Sequence, residues 1–140
     1  MRRVVILLSV FVLSGCSPGS IKEFQKEGEA HTGKLIATLQ NIKTTEDLVK
    51  SVPDLKKRFN DFVDLMIEAR MFQEGHPDDF SEASLTTLSF NEQLIVELER
   101  VYQLERGKEI IEKTQRDALH RLDAYETKRK KKQEKLLRSQ

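Results

Sequence analysis

The sequence predicts an all-α protein: a small antiparallel three-helix bundle or helical hairpin, with a long C-terminal helix extending beyond the bundle. Charged residues make up 34% of the 140 residues, aromatic residues only 6%, and there are three prolines. This composition is typical of helices with one exposed polar face, whereas sheets need more β-branched and aromatic residues. Apolar residues also recur at spacings of three and four, which indicates amphipathic helices.

The first predicted helix spans residues 21–42. Its apolar positions face one side, so we expect these residues to point inward: Ile21, Phe24, Gly28, His31, Leu35, Leu39 and Ile42. After it, Thr44 or Thr45 is expected to cap a short turn that reaches Lys50.

The second predicted helix runs from Ser51 to about Glu74, because Ser51 can cap it and Pro53 suits its first turn. Gly75 is expected to adopt a left-handed C-cap, and Pro77 blocks continuation. This helix carries the densest apolar stripe, so we expect Phe59 and Phe62 in the core. The stripe consists of Leu55, Phe59, Phe62, Val63, Leu65, Met66, Ala69 and Phe72.

The third predicted helix begins at residues 82–85 and continues almost to the end, with a bend at Gly107. A helix–turn–helix break at Gly107 is the alternative. A continuous helix over residues 84–136 measures about 80 Å, and its partners cover less than half of it. The remainder projects, frays or forms a coiled coil with a second copy. The continuous seam comprises Val101, Leu104, Lys108, Ile111, Gln115, Ala118, Leu122 and Tyr125.

The first 16 residues have the order of an export signal. Arg2 and Arg3 precede an apolar run over residues 4–13, which is too short to span a bilayer. The run ends in Leu13-Ser14-Gly15-Cys16, which resembles the lipobox of bacterial lipoprotein precursors. The resemblance covers about 20 residues and leaves the family of the mature domain open.

The lipobox resemblance implies a signal peptide over residues 1–15, cleavage between Gly15 and Cys16, and lipid on Cys16. In this family the cysteine carries a diacylglycerol thioether, and its amine usually carries an acyl chain such as palmitate. Several acyl chains are needed for stable membrane attachment. Residues 16–20 then form a tether, and Ser17, in place of a retaining Asp, favours the periplasmic side of the outer membrane in a Gram-negative organism.

The charge is unevenly distributed between the helical domain, residues 21–125, and the basic C-terminal end, residues 126–140. Residues 16–125 hold 15 basic and 21 acidic residues, a sum of −6. Residues 126–140 hold seven basic and two acidic residues, a sum of +5. The basic run is either a solvated helix end or a site for an anionic envelope surface. Nucleic acid is disfavoured, because no aromatic residues are interleaved for stacking. The candidate binding residues are Lys128, Arg129, Lys130, Lys131 and Lys132.

No motif for catalysis, a cofactor or a metal stands out. His120 follows Asp117 by three residues, but a di-metal carboxylate bundle needs two such motifs and two more carboxylates. A solvated helix face is favoured for His120, and His76-Pro77-Asp78-Asp79 is interpreted as a polar turn. We therefore expect a non-enzymatic protein without cofactor or metal.

The leading functional hypothesis is a membrane-anchored envelope lipoprotein that serves as a structural or interaction module. Its partners are the membrane, through the N-terminal lipid, and a protein or anionic envelope surface. The alternative is a periplasmic assembly factor, such as a secretion-system pilot or chaperone. Such a factor holds a client segment in an apolar groove, expected along Phe59, Phe62 and Phe72.

Overall fold

The computed structural model describes residues 18–79 and 92–139. The predicted signal peptide, its cleavage site and Cys16 lie outside the described residues, as does the predicted start of the third helix. The described residues contain no strand, which confirms the all-α class. They form α1 (Ile21–Gln40), α2 (Thr45–Gly75), a 3-10 turn (Pro77–Asp79), α3 (Glu92–Tyr102) and α4 (Gly107–Arg138).

Helix α1 begins where Ser20 accepts a hydrogen bond from the backbone N–H of Glu23, at 3.3 Å. Its inward face differs from the predicted stripe, because Ile36 is also buried and Ile21 is only half-buried. In addition, Thr32 is buried in place of His31, which is half-buried. The two residues are adjacent on the helix surface, and the smaller Thr32 lies nearer the centre of the buried face. The buried residues of the helix are Phe24, Gly28, Thr32, Leu35, Ile36 and Leu39.

Helix α2 begins at Thr45, six residues before the predicted start at Ser51. Thr44 and Asp47 form a reciprocal capping box, which satisfies free backbone donors at the helix start. The extra turns bury Leu48 completely. Pro53 therefore lies inside the helix, where it cannot donate to the carbonyl of Val49. Both Pro53 and Val49 are exposed, so this turn faces water that can satisfy the carbonyl.

The end of α2 also differs from the prediction, because Gly75 is helical and has no positive φ. The helix ends instead at His76, which has φ −139° and whose backbone N–H donates to Gln73 at 3.2 Å. Pro77 follows and begins the 3-10 turn. The restriction that proline places on the preceding residue thus accounts for the helix end without a left-handed glycine.

The prediction of one continuous third helix is wrong, and the alternative of a break near Gly107 is confirmed. Residues 103–106 separate α3 from α4, and Arg106 takes a left-handed conformation with φ 57° and ψ 14°. Gly107 permits a close approach: a Cβ atom there would lie 2.1 Å from the carbonyl oxygen of Val101. The apolar seam survives this turn because the helices on both sides of it contribute to the same core.

Helix α2 contacts α1 along one side and α4 along another, while α3 packs against α1 and α4. The main buried cluster joins all four helices, and a smaller one lies near the start of α1. The main cluster contains Leu35, Leu39, Ile42, Leu48, Leu55, Val101 and Ile111, and the smaller one contains Phe24, Leu65 and Ala69.

The prediction that Phe59 and Phe62 are core residues is only partly correct, because both are half-buried. Phe59 packs against the main cluster, whereas Phe62 belongs to neither cluster. The deepest positions of α2 are Leu48, Leu55 and Ala69, where α2 meets its neighbours.

Helix α4 does not have the long unaccompanied half that a continuous helix requires. It has 32 residues and α2 has 31, so both measure about 47 Å. The two run parallel: Thr45, at the start of α2, donates to the Glu105 carbonyl just before α4, and Glu74 pairs with Arg129 toward the C-terminal ends of both helices. Only residues 130–139 are exposed throughout, which removes the main reason for expecting a coiled coil with a second copy.

Candidate functional site

One end of the domain brings together the start of α1 and the C-terminal ends of α2 and α4. Phe24 of α1 lies 5.4 Å from Phe72 of α2, measured between ring centroids. Two residues further along α2, Glu74 lies 3.3 Å from Arg129 of α4. Since Pro18 is two residues after Cys16, the chain between them spans at most about 7 Å. The predicted lipid site and the basic segment therefore belong to the same end of the domain.

Arg129 is held by carboxylates, unlike the rest of the predicted anionic-surface site. Its guanidinium lies 3.3 Å from Glu74 and 3.3 Å from Glu126, and Arg70 approaches Glu126 from α2 at the same distance. The Arg129 side chain is only 21% exposed. Arg129 thus joins α4 to α2, and its charge is not free for an external anion.

The other basic residues of this segment are fully exposed and have no ion pair with any described residue. Glu134 is the only acidic residue between Lys128 and Arg138. By contrast, most basic side chains of the helical body are paired, as in Lys56–Asp117 at 2.6 Å and Lys57–Asp61 at 2.6 Å. The unpaired cations are Lys128, Lys130, Lys131, Lys132, Lys135 and Arg138.

Two large apolar side chains accompany these cations at the end of α4. Leu136 is 57% exposed and Leu137 is 73% exposed. They follow Lys135 and precede Arg138, so apolar and cationic groups share the final turn of the helix. A basic segment with exposed leucines is typical of surfaces that contact the interface of a membrane.

Two open grooves flank this end of α2. One, of about 430 Å³, lies between α2 and α4 and is lined by Gln73, Glu74, Pro77, Arg129, Lys132, Gln133 and Leu136. The other, of about 350 Å³, lies beside the start of α1 and contains the stacked rings of Phe72 and His76, 4.2 Å apart. Both grooves are open to solvent, unlike the enclosed clefts that hold small ligands. The first is bordered by Arg129, whose buried Nε lies 3.3 Å from the Glu74 carboxylate but makes no hydrogen bond.

The histidines do not converge on a shared site. His31 borders a groove of about 210 Å³ with Glu27, Asp61, Asp64 and Glu68, but Asp61 and Asp64 are paired with Lys57 and Arg121. Over residues 18–79 and 92–139, no three His, Cys, Asp or Glu side chains are grouped so that they could hold a metal ion.

The Asp117–His120 spacing also leads to no half-site. Lys56 donates a hydrogen bond of 2.6 Å to Asp117, and this bond and the charge of Lys56 lower the pKa of that carboxyl group. His120 is exposed. Asp117 therefore serves to join α2 to α4.

The sequence reasoning placed the basic run correctly on the end of a helix but missed its position relative to Cys16. That position follows from the number of chain reversals. With a break at Gly107, α4 returns toward the start of α1, whereas a continuous third helix antiparallel to α2 would carry the basic run away from it. The signal was available in Gly107 itself, the only glycine after Gly75.

None of the helices formed by the described residues is long and apolar enough to cross a bilayer. No family model matches the sequence, and the comparisons with curated proteins and with solved structures give no significant match either.

Proposed function

We propose that this chain is the precursor of a bacterial lipoprotein that works as a non-enzymatic structural or interaction module in the cell envelope. The observation that carries this proposal is the order of the first 16 residues: two arginines, a short apolar run, and Leu13-Ser14-Gly15-Cys16. Charge, apolar length, small residues and cysteine all occur where a lipoprotein signal needs them. By the same resemblance, Ser17 favours the outer membrane of a Gram-negative cell, on its periplasmic side.

The position of the domain is consistent with a lipid anchor on Cys16. Helix α1 starts at Ile21, and Ser20 caps it, so only three residues separate the cysteine from the cap. Gly19 donates its backbone N–H to Glu23 at 2.6 Å, which ties the chain close to the helix start. A lipid on Cys16 thus holds the domain close to the membrane, and we propose that α1, α2 and α4 act there as a three-helix bundle.

The described residues favour the interaction module over an enzyme. Of the carboxylates near His31 and His120, Asp61, Asp64 and Asp117 are paired with Lys57, Arg121 and Lys56, so they are not free acid–base partners. Glu27 and Glu68 lie beside His31 in an open groove. A general acid or base needs such a partner or a pocket that shifts its pKa. Three ion pairs instead join α2 to α4 at the surface, namely Lys56–Asp117, Asp64–Arg121 and Arg70–Glu126.

The assembly-factor alternative depends on an exposed apolar groove along Phe59, Phe62 and Phe72. All three side chains are half-buried, and Phe72 packs against Phe24 and the smaller cluster. The large apolar residues that are exposed lie elsewhere and are scattered: Val49, Met71, Ile95, Val96, Leu119, Leu136 and Leu137. This pattern gives a client groove less support than it gives the interaction module.

Metabolic labelling with a fatty acid tests the proposal. The full chain expressed in a bacterium should incorporate the label and fractionate with membranes, and Cys16→Ala should lose both properties. Ser17→Ala is the matched control and should keep both. Wild-type protein that stays unlabelled and is recovered in the soluble fraction would contradict the proposal.

A further inference from the structure

We infer that the C-terminal end of α4 binds the anionic phospholipid headgroups of the same membrane that holds the lipid on Cys16. The inference rests on the proposed lipid anchor and adds a second contact to it. Three features of the domain support it: the end that α1, α2 and α4 share, the unpaired cations of α4, and its exposed leucines.

The C-terminal end of α4 lies at the same end of the domain as the start of α1. The smaller core cluster and the ring contact Phe24–Phe72 fix the start of α1 to the last turns of α2. The ion pair Glu74–Arg129 fixes the same turns of α2 to α4. Because Pro18 can lie no more than about 7 Å from Cys16, these turns stay near the bilayer surface. The basic end of α4 then has no linker long enough to carry it to a distant layer of the envelope.

The C-terminal end of α4 carries a concentration of unpaired positive charge. Six exposed cations, from Lys128 to Arg138, face one acidic residue, Glu134, and none of the six is paired with a described residue. Arg129 is excluded from this count because Glu74 and Glu126 hold it. Basic residues next to an anionic leaflet each strengthen attachment about fivefold, and the attraction extends about a Debye length from the surface. The acidic body, with its sum of −6, turns this end toward the leaflet and the rest of the domain away from it.

The exposed leucines at the end of α4 favour a bilayer over an anionic wall polymer as the surface that it contacts. Leu136 and Leu137 are more than half exposed and lie in the last turn of α4, between Lys135 and Arg138. A sugar polymer offers no apolar phase for them, whereas the boundary between headgroups and acyl chains does. Cations on the headgroups and leucines just below them match the two layers of a membrane interface.

Lipidated full-length protein in vesicles tests the inference. Cys16 is the only cysteine and is blocked by lipid, so Leu137→Cys accepts an environment-sensitive fluorophore at the end of α4. Val49→Cys is the matched label site, because Val49 is exposed and lies on α2 near the opposite end of the domain. Vesicles of pure phosphatidylcholine are compared with vesicles that also contain phosphatidylglycerol, and flotation of the vesicles measures anchoring separately.

The label at position 137 should shift to the blue and become shielded from an aqueous quencher only in the phosphatidylglycerol vesicles. The label at position 49 should stay aqueous in both. Raising the salt concentration should reverse the shift, because the attraction is screened. Replacing Lys130, Lys131, Lys132 and Lys135 by Gln should lower the ratio of inserted to free α4 ends about tenfold or more.

The matched charge control replaces four unpaired cations of the body by Gln, namely Lys34, Lys43, Lys113 and Arg116. It has the same change in net charge and should keep the shift at position 137. The inference would be overturned if the labelled protein with all its lysines floated with the vesicles while the label at position 137 stayed aqueous. That result would leave the lipid anchor intact. Wild-type protein that fails to float on phosphatidylcholine vesicles would contradict the lipid anchor, and the inference with it. The inference would likewise be overturned if the protein bound isolated cell wall while the label at position 137 stayed aqueous on phosphatidylglycerol vesicles.

Discussion

Arg129 of α4 and Glu74 of α2 form an ion pair at 3.3 Å that joins the C-terminal ends of the two longest helices. The pair divides α4 into a part that packs on α2 and a part that does not. Every residue from 130 to 139 is exposed, while Tyr125, Glu126 and Arg129 are half-buried. The boundary of the folded domain therefore lies at Arg129, three residues beyond the boundary near residue 126 that the charge pattern indicates.

Truncation should reveal this boundary. Deleting residues 130–140 should leave the thermal unfolding curve, followed by circular dichroism, unchanged, since none of the described residues removed is buried. Deleting residues 127–140 also removes Arg129 and should lower the free energy of unfolding by about 1 kcal/mol or less, because the pair is partly exposed. Unfolding of the shorter deletion would show that the end of α4 packs on the body and would contradict this boundary.

The turn between α3 and α4 should tolerate no side chain at Gly107. A Cβ atom there meets the Val101 carbonyl oxygen at 2.1 Å and the Leu104 Cβ at 3.3 Å, and backbone atoms cannot rotate away. Gly107→Ala should therefore destabilise the protein by about 1–3 kcal/mol, measured by chemical denaturation. Gly33→Ala is the control: it has no neighbour within 4 Å in the middle of α1 and should stabilise the protein by about 1 kcal/mol. Equal effects of the two substitutions would contradict the close approach at Gly107.

Arg100 should contribute more stability than its half-exposed position suggests. Its guanidinium donates to the carbonyls of Leu39 at 2.7 Å and Ile42 at 2.8 Å, and so satisfies the C-terminal end of α1. Arg100→Met keeps an apolar stem but leaves both carbonyls without this donor, and should cost about 2 kcal/mol in thermal or chemical unfolding. Arg116→Met, at an exposed position of α4 without an ion pair, should be nearly neutral. A loss no greater than that of Arg116→Met would mean that water replaces Arg100.

The start of α2 should make stability depend on pH at acid values. The backbone N–H of Lys43 donates to the Asp47 carboxylate at 3.0 Å, and Thr44 adds further hydrogen bonds, so the pKa of Asp47 is lowered from 3.8. A folded pKa below the unfolded one means that the stabilisation is present above pH 3.8 and is lost as the pH falls through the folded value.

Asp47→Ala should accordingly unfold at a lower temperature than the wild type at neutral pH. The difference should shrink as the pH is lowered below 3.8, because the wild-type carboxylate becomes protonated. Asp123→Ala, at an exposed position of α4, is the control and should show no such trend. A difference between wild type and Asp47→Ala that stays constant down to acid pH would contradict the role of the charged carboxylate.

The helical class and most buried positions of α1 could be predicted because an apolar residue every three or four positions has one physical interpretation. Phe24, Leu35, Leu39 and Ile42 were all identified in this way, and all are buried. Capping residues alone do not predict where α2 begins. Ser51-Val52-Pro53 has the composition of a helix start, yet burial of Leu48 favours a start at Thr45, because packing outweighs the cost of an exposed internal proline.

Features that depend on the approach of distant backbones could not be derived from the sequence pattern. The period of the apolar seam passes through Gly107 without change, but the close approach of Gly107 to Val101 forms only when the chain reverses there. The same holds for the candidate site. The run of lysines is visible in the sequence, whereas the ion pair between Arg129 and Glu74 depends on the parallel packing of α2 and α4.

The most direct test of the proposed lipoprotein is the mass of the mature N-terminus. Protein extracted from the membrane fraction should give an N-terminal peptide that starts at Cys16 and carries the added mass of a diacylglycerol group, with or without a further acyl chain. Residues 1–15 should be missing from it. A mature protein that retains those residues, or that begins with an unmodified Cys16, would contradict the account.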